Sequence, residues 1–270
     1  MYGAILGDII GSPFEFEKGK QDRDFMLFRG SSRFTDDTTM TIAVADALMK
    51  AEDLGQLDDE AKVKDLLIDS MKAWGRRYIH AGYGGRFRNW LLTATREPYH
   101  SFGNGSAMRV SPAGWMADDM ETVRKLARWS AEVTHDHPEG IKGAESTAAA
   151  ILMARKGCSK EEIKEYISSE FGYDLKRTCD DIRPGYSFDV SCQGSVPESI
   201  ICFLEGTSYE DTVRNAVSLG GDTDTMGCIA GSIAEAYYGL PGELKEEGRK
   251  RLPDDMRKVA DSFTKRKVMG

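Results

Sequence analysis

The sequence predicts an all-α fold, and three observations carry that prediction. Apolar residues recur at helical spacing along most of the chain. Strand-type alternation is scarce. The glycine-rich stretches at 82–85, 103–105 and 220–221 are short enough to be loops between helices rather than linkers between domains.

Taken in order, the first element is the apolar segment Tyr2 to Gly11, in which Gly3, Gly7 and Gly11 recur every four residues. On a helix such small residues let another backbone approach closely, so this is expected to be a buried helix. Met40, Ala43, Val44, Ala47, Leu48 and Ala51 then define one apolar helix face. Met226, Ile229, Ala230, Ile233, Ala234 and Tyr237 repeat the pattern, with Gly227 and Gly231 again four apart. Further helices are expected at about 60–80, 120–133, 139–156, 159–171, 195–205, 208–218 and 252–266. The segment from Tyr186 to Cys192 is the best strand candidate. No linker divides the 270 residues and no internal repeat is evident, so one domain over 1–270 is expected.

The formal net charge is -8, spread along the chain, and this argues against nucleic acid as the main partner. Five cysteines without a C-x-x-C pair argue against a disulfide framework and against a structural zinc site. The N-terminal apolar segment lacks a basic start and reaches Asp8 early, unlike a signal peptide. No apolar run approaches the roughly 18 residues of a membrane span. A reducing cytoplasm and a monomer are the expected setting and state.

Chemistry points to two acidic clusters. Thr35-Asp36-Asp37-Thr38 lies just ahead of the Met40 helix, and Gly220-Gly221-Asp222-Thr223-Asp224-Thr225 just ahead of the Met226 helix. Carboxylates at helix starts are favoured by free N–H groups and the macrodipole, so ordinary capping is one reading. One cap needs one Asp, Ser or Thr, however, and each start here carries two acids and at least two threonines beside an apolar face. Acids placed against a core need compensation, which a bound cation would supply. Oxygen-only ligand sets suit Mg²⁺, Mn²⁺ or Ca²⁺, and four carboxylates are enough to hold two ions about 3.5–4 Å apart. An EF-hand fails on the second cluster, because Met226 and Ile233 would occupy ligand positions. No serine-hydrolase, zincin or P-loop motif is present. Gly82-Tyr83-Gly84 and Gly103-Asn104-Gly105 do not complete a dinucleotide fingerprint, though their backbone amides remain available to phosphate.

Taken together the chain resembles the ADP-ribosylglycohydrolase family. The resemblance runs in order through GAILGDIIGSPFEF (3–16), FTDDTTM (34–40), GYGGRF (82–87), GNGSAMRVSP (103–112), THDHP (134–138) and GGDTDTMGCIAG (220–231). It implies an all-α orthogonal bundle of many helices around a central cleft holding two Mg²⁺, with Mn²⁺ as the alternative. It implies that Thr35, Asp36 and Asp37 ligate one side and that Asp222, Asp224 and Thr225 ligate the other, with Asp224 placed to bridge. Glu15, Asp36 and Asp37 become the catalytic candidates. The loops Gly82, Tyr83, Gly84 and Gly103, Asn104, Gly105, Ser106 would cradle a diphosphate, and His135 would line the adenosine side. The implied substrate is an ADP-ribosylated protein, cleaved at an arginine or serine linkage, or a small ADP-ribose derivative. A non-catalytic ADP-ribose-binding homologue is the alternative from another class.

Overall fold

The computed structural model describes residues 1–17 and 22–268, and every regular element among them is a helix. In chain order these are α1 (Tyr2–Gly11), α2 (Asp36–Asp53), α3 (Glu60–Arg77), α4 (Gly85–Leu92), α5 (Gly105–Met108), α6 (Ser111–Met116), α7 (Met120–Glu132) and α8 (Pro138–Arg155). They continue as α9 (Lys160–Phe171), α10 (Cys179–Ile182), α11 (Cys192–Glu205), α12 (Tyr209–Leu219), α13 (Thr223–Tyr238), α14 (Gly242–Arg249) and α15 (Asp254–Lys267). The expected helices all form, with ends shifted by a few residues. The short helices α4, α5, α6, α10 and α14 were not anticipated, because none is long enough to display a periodic face.

The centre of the fold is the seam between α1 and α13. Every residue of α1 is buried. A Cβ added to Gly3, Gly7 or Gly11 would lie 2.4 Å from Gly231 O, 1.9 Å from Gly227 O and 2.2 Å from Thr223 O respectively. As α1 is followed forward its partner is met backward, so the two helices run antiparallel with their backbones in near contact. Thr223 Oγ1 donates to Gly11 O at 2.9 Å and closes the end of the seam. This fixes the start of α13 beside the end of α1.

Around this seam α2 packs on α1 and α3, and α8 packs on α7, α11 and α13. Side-chain caps define several helix starts: Asp59 for α3, Asp119 for α7, Ser208 for α12, and a full capping box of Ser159 with Glu162 for α9. The core is continuous, joining residues from α1 through α15. All five cysteines are free thiols. Among the described residues no helix is long and apolar enough to cross a membrane.

The strand expected over Tyr186 to Cys192 does not form. The segment is irregular and makes one antiparallel bridge, Gly103 with Ser191. Strand residues need a partner along their whole length, and here Phe188 and Val190 are exposed instead. The alternation that suggested a strand comes from a loop lying along the cleft described next.

Candidate active site: an acidic cluster at the floor of a cleft

The two acidic clusters, far apart in sequence, meet at the α1–α13 seam. Thr35 is the N-cap of α2, and its hydroxyl accepts from Asp37 N. That satisfies the cap and leaves Asp36 and Asp37 in the first turn without a capping task. Asp222 is the N-cap of α13 but makes no side-chain cap bond; its Oδ2 accepts from Asn104 Nδ2 at 2.7 Å. Capping therefore accounts for one threonine and not for the acids.

The residue that joins the halves is Asp8, on the buried face of α1. Its carboxylate accepts from Thr35 N at 2.9 Å, Thr35 Oγ1 at 2.8 Å, Thr38 N at 3.0 Å and the Thr38 hydroxyl. One acid thus holds the first turn of α2 against α1. Carboxylate oxygens of Asp8, Asp37 and Asp224 come within 4.8 Å of one another, as do those of Glu15, Asp222 and Asp224. The two groups share Asp224. Asp37 Oδ1 is buried with no hydrogen-bond partner.

Packing so many acids together suppresses their ionisation. Burial is the main cause in each case, with neighbouring carboxylates adding to it for most. It raises Asp8 and Asp222 to about 6 and Glu15 to about 8, the last also pushed by Asp224. Asp36, Asp37 and Asp224 are raised well above the usual carboxyl range, with Asp224 the second cause for the first two. The protein without a counter-ion carries protons where the geometry offers oxygens. A hard divalent cation fits this donor set, because it supplies the missing positive charge and a partner for the orphaned Asp37 oxygen.

The cluster forms the floor of a cavity of about 400 Å³, a volume suited to a small-molecule ligand. Glu15, Asp36, Asp37, Asp222, Asp224 and Thr225 line it at the acidic end. Gly82, Gly84, Gly103, Asn104, Gly105 and His135 line the remaining wall. Gly82 adopts φ +120, and a Cβ there would meet Asp36 Oδ1 at 3.0 Å, so glycine lets this loop turn beside the carboxylate. Gly103 and Gly105 face His135 Nε2 so closely that a Cβ at Gly105 would stand 3.1 Å from it. The loop therefore presents backbone rather than side chain to the cavity.

Four expected positions make contacts of their own within the fold. Tyr83 turns away from the cavity and is buried, its ring 5.5 Å from that of Phe87; an aromatic of this size finds its place in the core beneath the loop. Ser106 is fully buried and its hydroxyl donates to Gly140 O at 2.7 Å, tying the loop to α8. Thr35 stands behind the cavity wall, where its hydroxyl donates to Asp8. Asn104 lines the cavity but uses its amide to orient Asp222.

Sequence reasoning missed Asp8 as a site residue, although a lone acid inside an otherwise apolar helix was a legible signal. It also missed Arg86, Tyr99 and Arg109 and the apolar rim of Phe16, Phe188 and Val190, which line the same cavity. Phe16 and Phe188 stack with centroids 6.2 Å apart, linking the Glu15 segment to the loop before α11.

The all-helical fold, the shared carboxylate cluster and the glycine-loop cavity are those of a hydrolase. The chain is a member of the ADP-ribosylglycohydrolase family, whose profile matches residues 1–269. It is 26% identical to ADP-ribosylhydrolase ARH3 of Mus musculus, over 99% of this chain and 88% of that protein. It is 28% identical to ADP-ribosylhydrolase ARH3 of Bos taurus, over 88% of this chain and 83% of that one. An uncharacterized protein of Escherichia coli strain K12, YegU, is 26% identical over 89% of this chain and 86% of its own length. Among solved structures, an ADP-ribosylglycohydrolase-related protein complex superposes with a TM-score of 0.68 at 23% identity, covering 97% of this chain and 94% of that one, a likeness of fold.

Proposed function

We propose that this ADP-ribosylglycohydrolase uses Mg²⁺ to cleave the glycosidic bond between ADP-ribose and an arginine or serine side chain of a modified protein. The observation that carries the proposal is the pair of carboxylate groups sharing Asp224 at the floor of the cavity. Two groups with one common member support a site that would hold two ions, with Asp224 contributing to both groups. Asp8, a member of the first group, spends its Oδ2 on three hydrogen bonds to Thr35 and Thr38 and so braces the Asp36–Asp37 turn. Asp36, Asp37, Asp222, Asp224 and Thr225, with Glu15 at the edge and Thr35 behind, would hold the ions. When bound, the ions would supply positive charge to orient a ribose diol and to polarise the reacting centre.

The chain's own residues do the rest. Glu15 is half-buried where the acidic floor meets the cavity, and its carboxyl is raised to about 8. That value belongs to the cation-free protein; the place of Glu15 where the floor meets the cavity is what supports a role as general acid or base at the bond being cut. Asn104 fixes Asp222, and Asp8 fixes the Asp36–Asp37 turn, so the floor is preorganised. The backbone of Gly103 to Gly105 and the ring of His135 line the wall where the diphosphate and adenosine would lie.

The test is release of free ADP-ribose from arginine-linked and serine-linked ADP-ribosyl peptides, with Mg²⁺ and with a chelator. Metal-dependent release from one peptide is expected and names the linkage. Release undiminished by the chelator would overturn the cation assignment, and binding of ADP-ribose with no release from either peptide would overturn the reaction.

A further inference from the structure

Arg109 is 1% exposed and, among the described residues, pairs with no acid. Its Nη2 donates to Ser130 O at 2.6 Å and to Thr134 Oγ1 at 2.8 Å, while its Nε has no partner. A buried cation without a counter-charge is costly, and this one lines the cavity.

The order of protons follows from what each group can give. A guanidinium only donates, so Thr134 Oγ1 must accept from Arg109. The threonine hydroxyl keeps one hydrogen and needs an acceptor for it. Thr134 is wholly buried, and the other polar neighbour of its oxygen is His135 Nδ1 at 2.7 Å. Nδ1 therefore accepts, and the ring proton resides on Nε2. Nε2 is the atom turned to the glycine loop, 3.1 Å from the Cβ position of Gly105 and 3.6 Å from that of Gly103.

We infer that Arg109, acting through Thr134, fixes His135 as its neutral Nε2–H tautomer and so presents a hydrogen-bond donor to a phosphate-type oxygen held against the 103–105 loop. Arg109 is thus a positioning residue, and its unpaired charge also favours an anion in the cavity. The groups facing the ring agree with this. Tyr99 lies 5.8 Å away, ring to ring, and burial, then Arg109 and Arg86, hold the imidazole well below its usual pKa. The inference rests on the proposed function only for the identity of the ligand.

The experiment is long-range ¹H–¹⁵N correlation of the histidine rings in the whole chain, which has four histidines, with His135 assigned by its loss in His135→Gln. The expected wild-type signal is a single Nε2–H pattern, unchanged between about pH 6 and 8. Thr134→Val should move the signal toward the Nδ1–H form and raise the Kd for ADP-ribose about tenfold, the worth of one buried hydrogen bond. Thr134→Ser, which keeps the hydroxyl, should restore both and controls for folding. A wild-type Nδ1–H or titrating ring, or a Thr134→Val spectrum like wild type, overturns the relay. A shifted tautomer with unchanged Kd overturns the donor role. Failure of ADP-ribose to bind wild type would instead sink the ligand assignment and leave the relay standing.

Discussion

At the scale of single residues, the site depends on two aspartates with opposite duties. Asp8 gives its oxygens to Thr35 and Thr38 behind the cavity, whereas Asp224 is common to both carboxylate groups and lines the cavity. Asp8→Asn keeps the volume but places an amide N–H where hydroxyl and backbone donors already point. Unfolding in urea should show a loss of about 3 kcal/mol, the cost of leaving buried donors unpaired. Unchanged stability would mean that the brace is dispensable. Asp224→Asn should leave stability near wild type, or raise it in metal-free buffer, because it removes a crowded carboxyl. Its ADP-ribose release should nevertheless fall by about a hundredfold or more, as a lost charge-stabilising group costs several kcal/mol of barrier. Turnover within a few-fold of wild type would contradict the shared role.

At the scale of elements, the α1–α13 seam sets the geometry. Gly7→Ala would drive a Cβ to 1.9 Å from Gly227 O. Backbone cannot yield there as a side chain would, so the variant should lose about 3 kcal/mol or fail to fold. Gly242→Ala, which meets nothing within 4 Å at the start of α14, is the matched control and should be neutral. Equal melting temperatures for the two would refute the seam. In the sequence, the four-residue glycine spacing made a buried, closely approached helix legible in each case, but that the two helices pack on each other emerges only in the fold. The acidic clusters were legible for the same kind of reason: too many acids at a helix start for capping alone. What it hid is instructive. Tyr83 and Ser106 sit inside loop motifs that do line the cavity, yet their side chains point into the core, and motif membership does not encode side-chain direction. Arg109 was invisible because its significance lies in burial without a counter-charge, which only the packed fold reveals. The Tyr186–Cys192 alternation misled because a period of two also arises in a loop with one face toward a cleft.

At the scale of the whole molecule, the acid cluster couples folding to pH and to cations. Asp8 and Asp222 titrate at about 6 and Glu15 at about 8 in the folded protein, above the roughly 4 of an unfolded carboxyl. A raised pKa contributes stability that is complete below the unfolded value and lost as pH rises through the folded one. The metal-free protein should therefore melt at progressively lower temperature from about pH 4 to about pH 8. A divalent cation bound to the ionised form would oppose that loss, so the stabilising effect of added Mg²⁺ should grow over the same interval. A Mg²⁺ effect larger at pH 5 than at pH 8 would contradict the assignment of these acids. The same coupling makes the cleft a single device: the seam brings the clusters together, Asp8 locks one of them, and the unfavourable charge that remains is what a cation relieves. The most direct test is calorimetric titration of Mg²⁺ into the metal-free chain at about pH 7.5, beside Asp224→Asn. Two ions per wild-type chain, with binding abolished or reduced to one weak ion in the variant, is the predicted result. No binding to wild type, or the same isotherm for both, would contradict it.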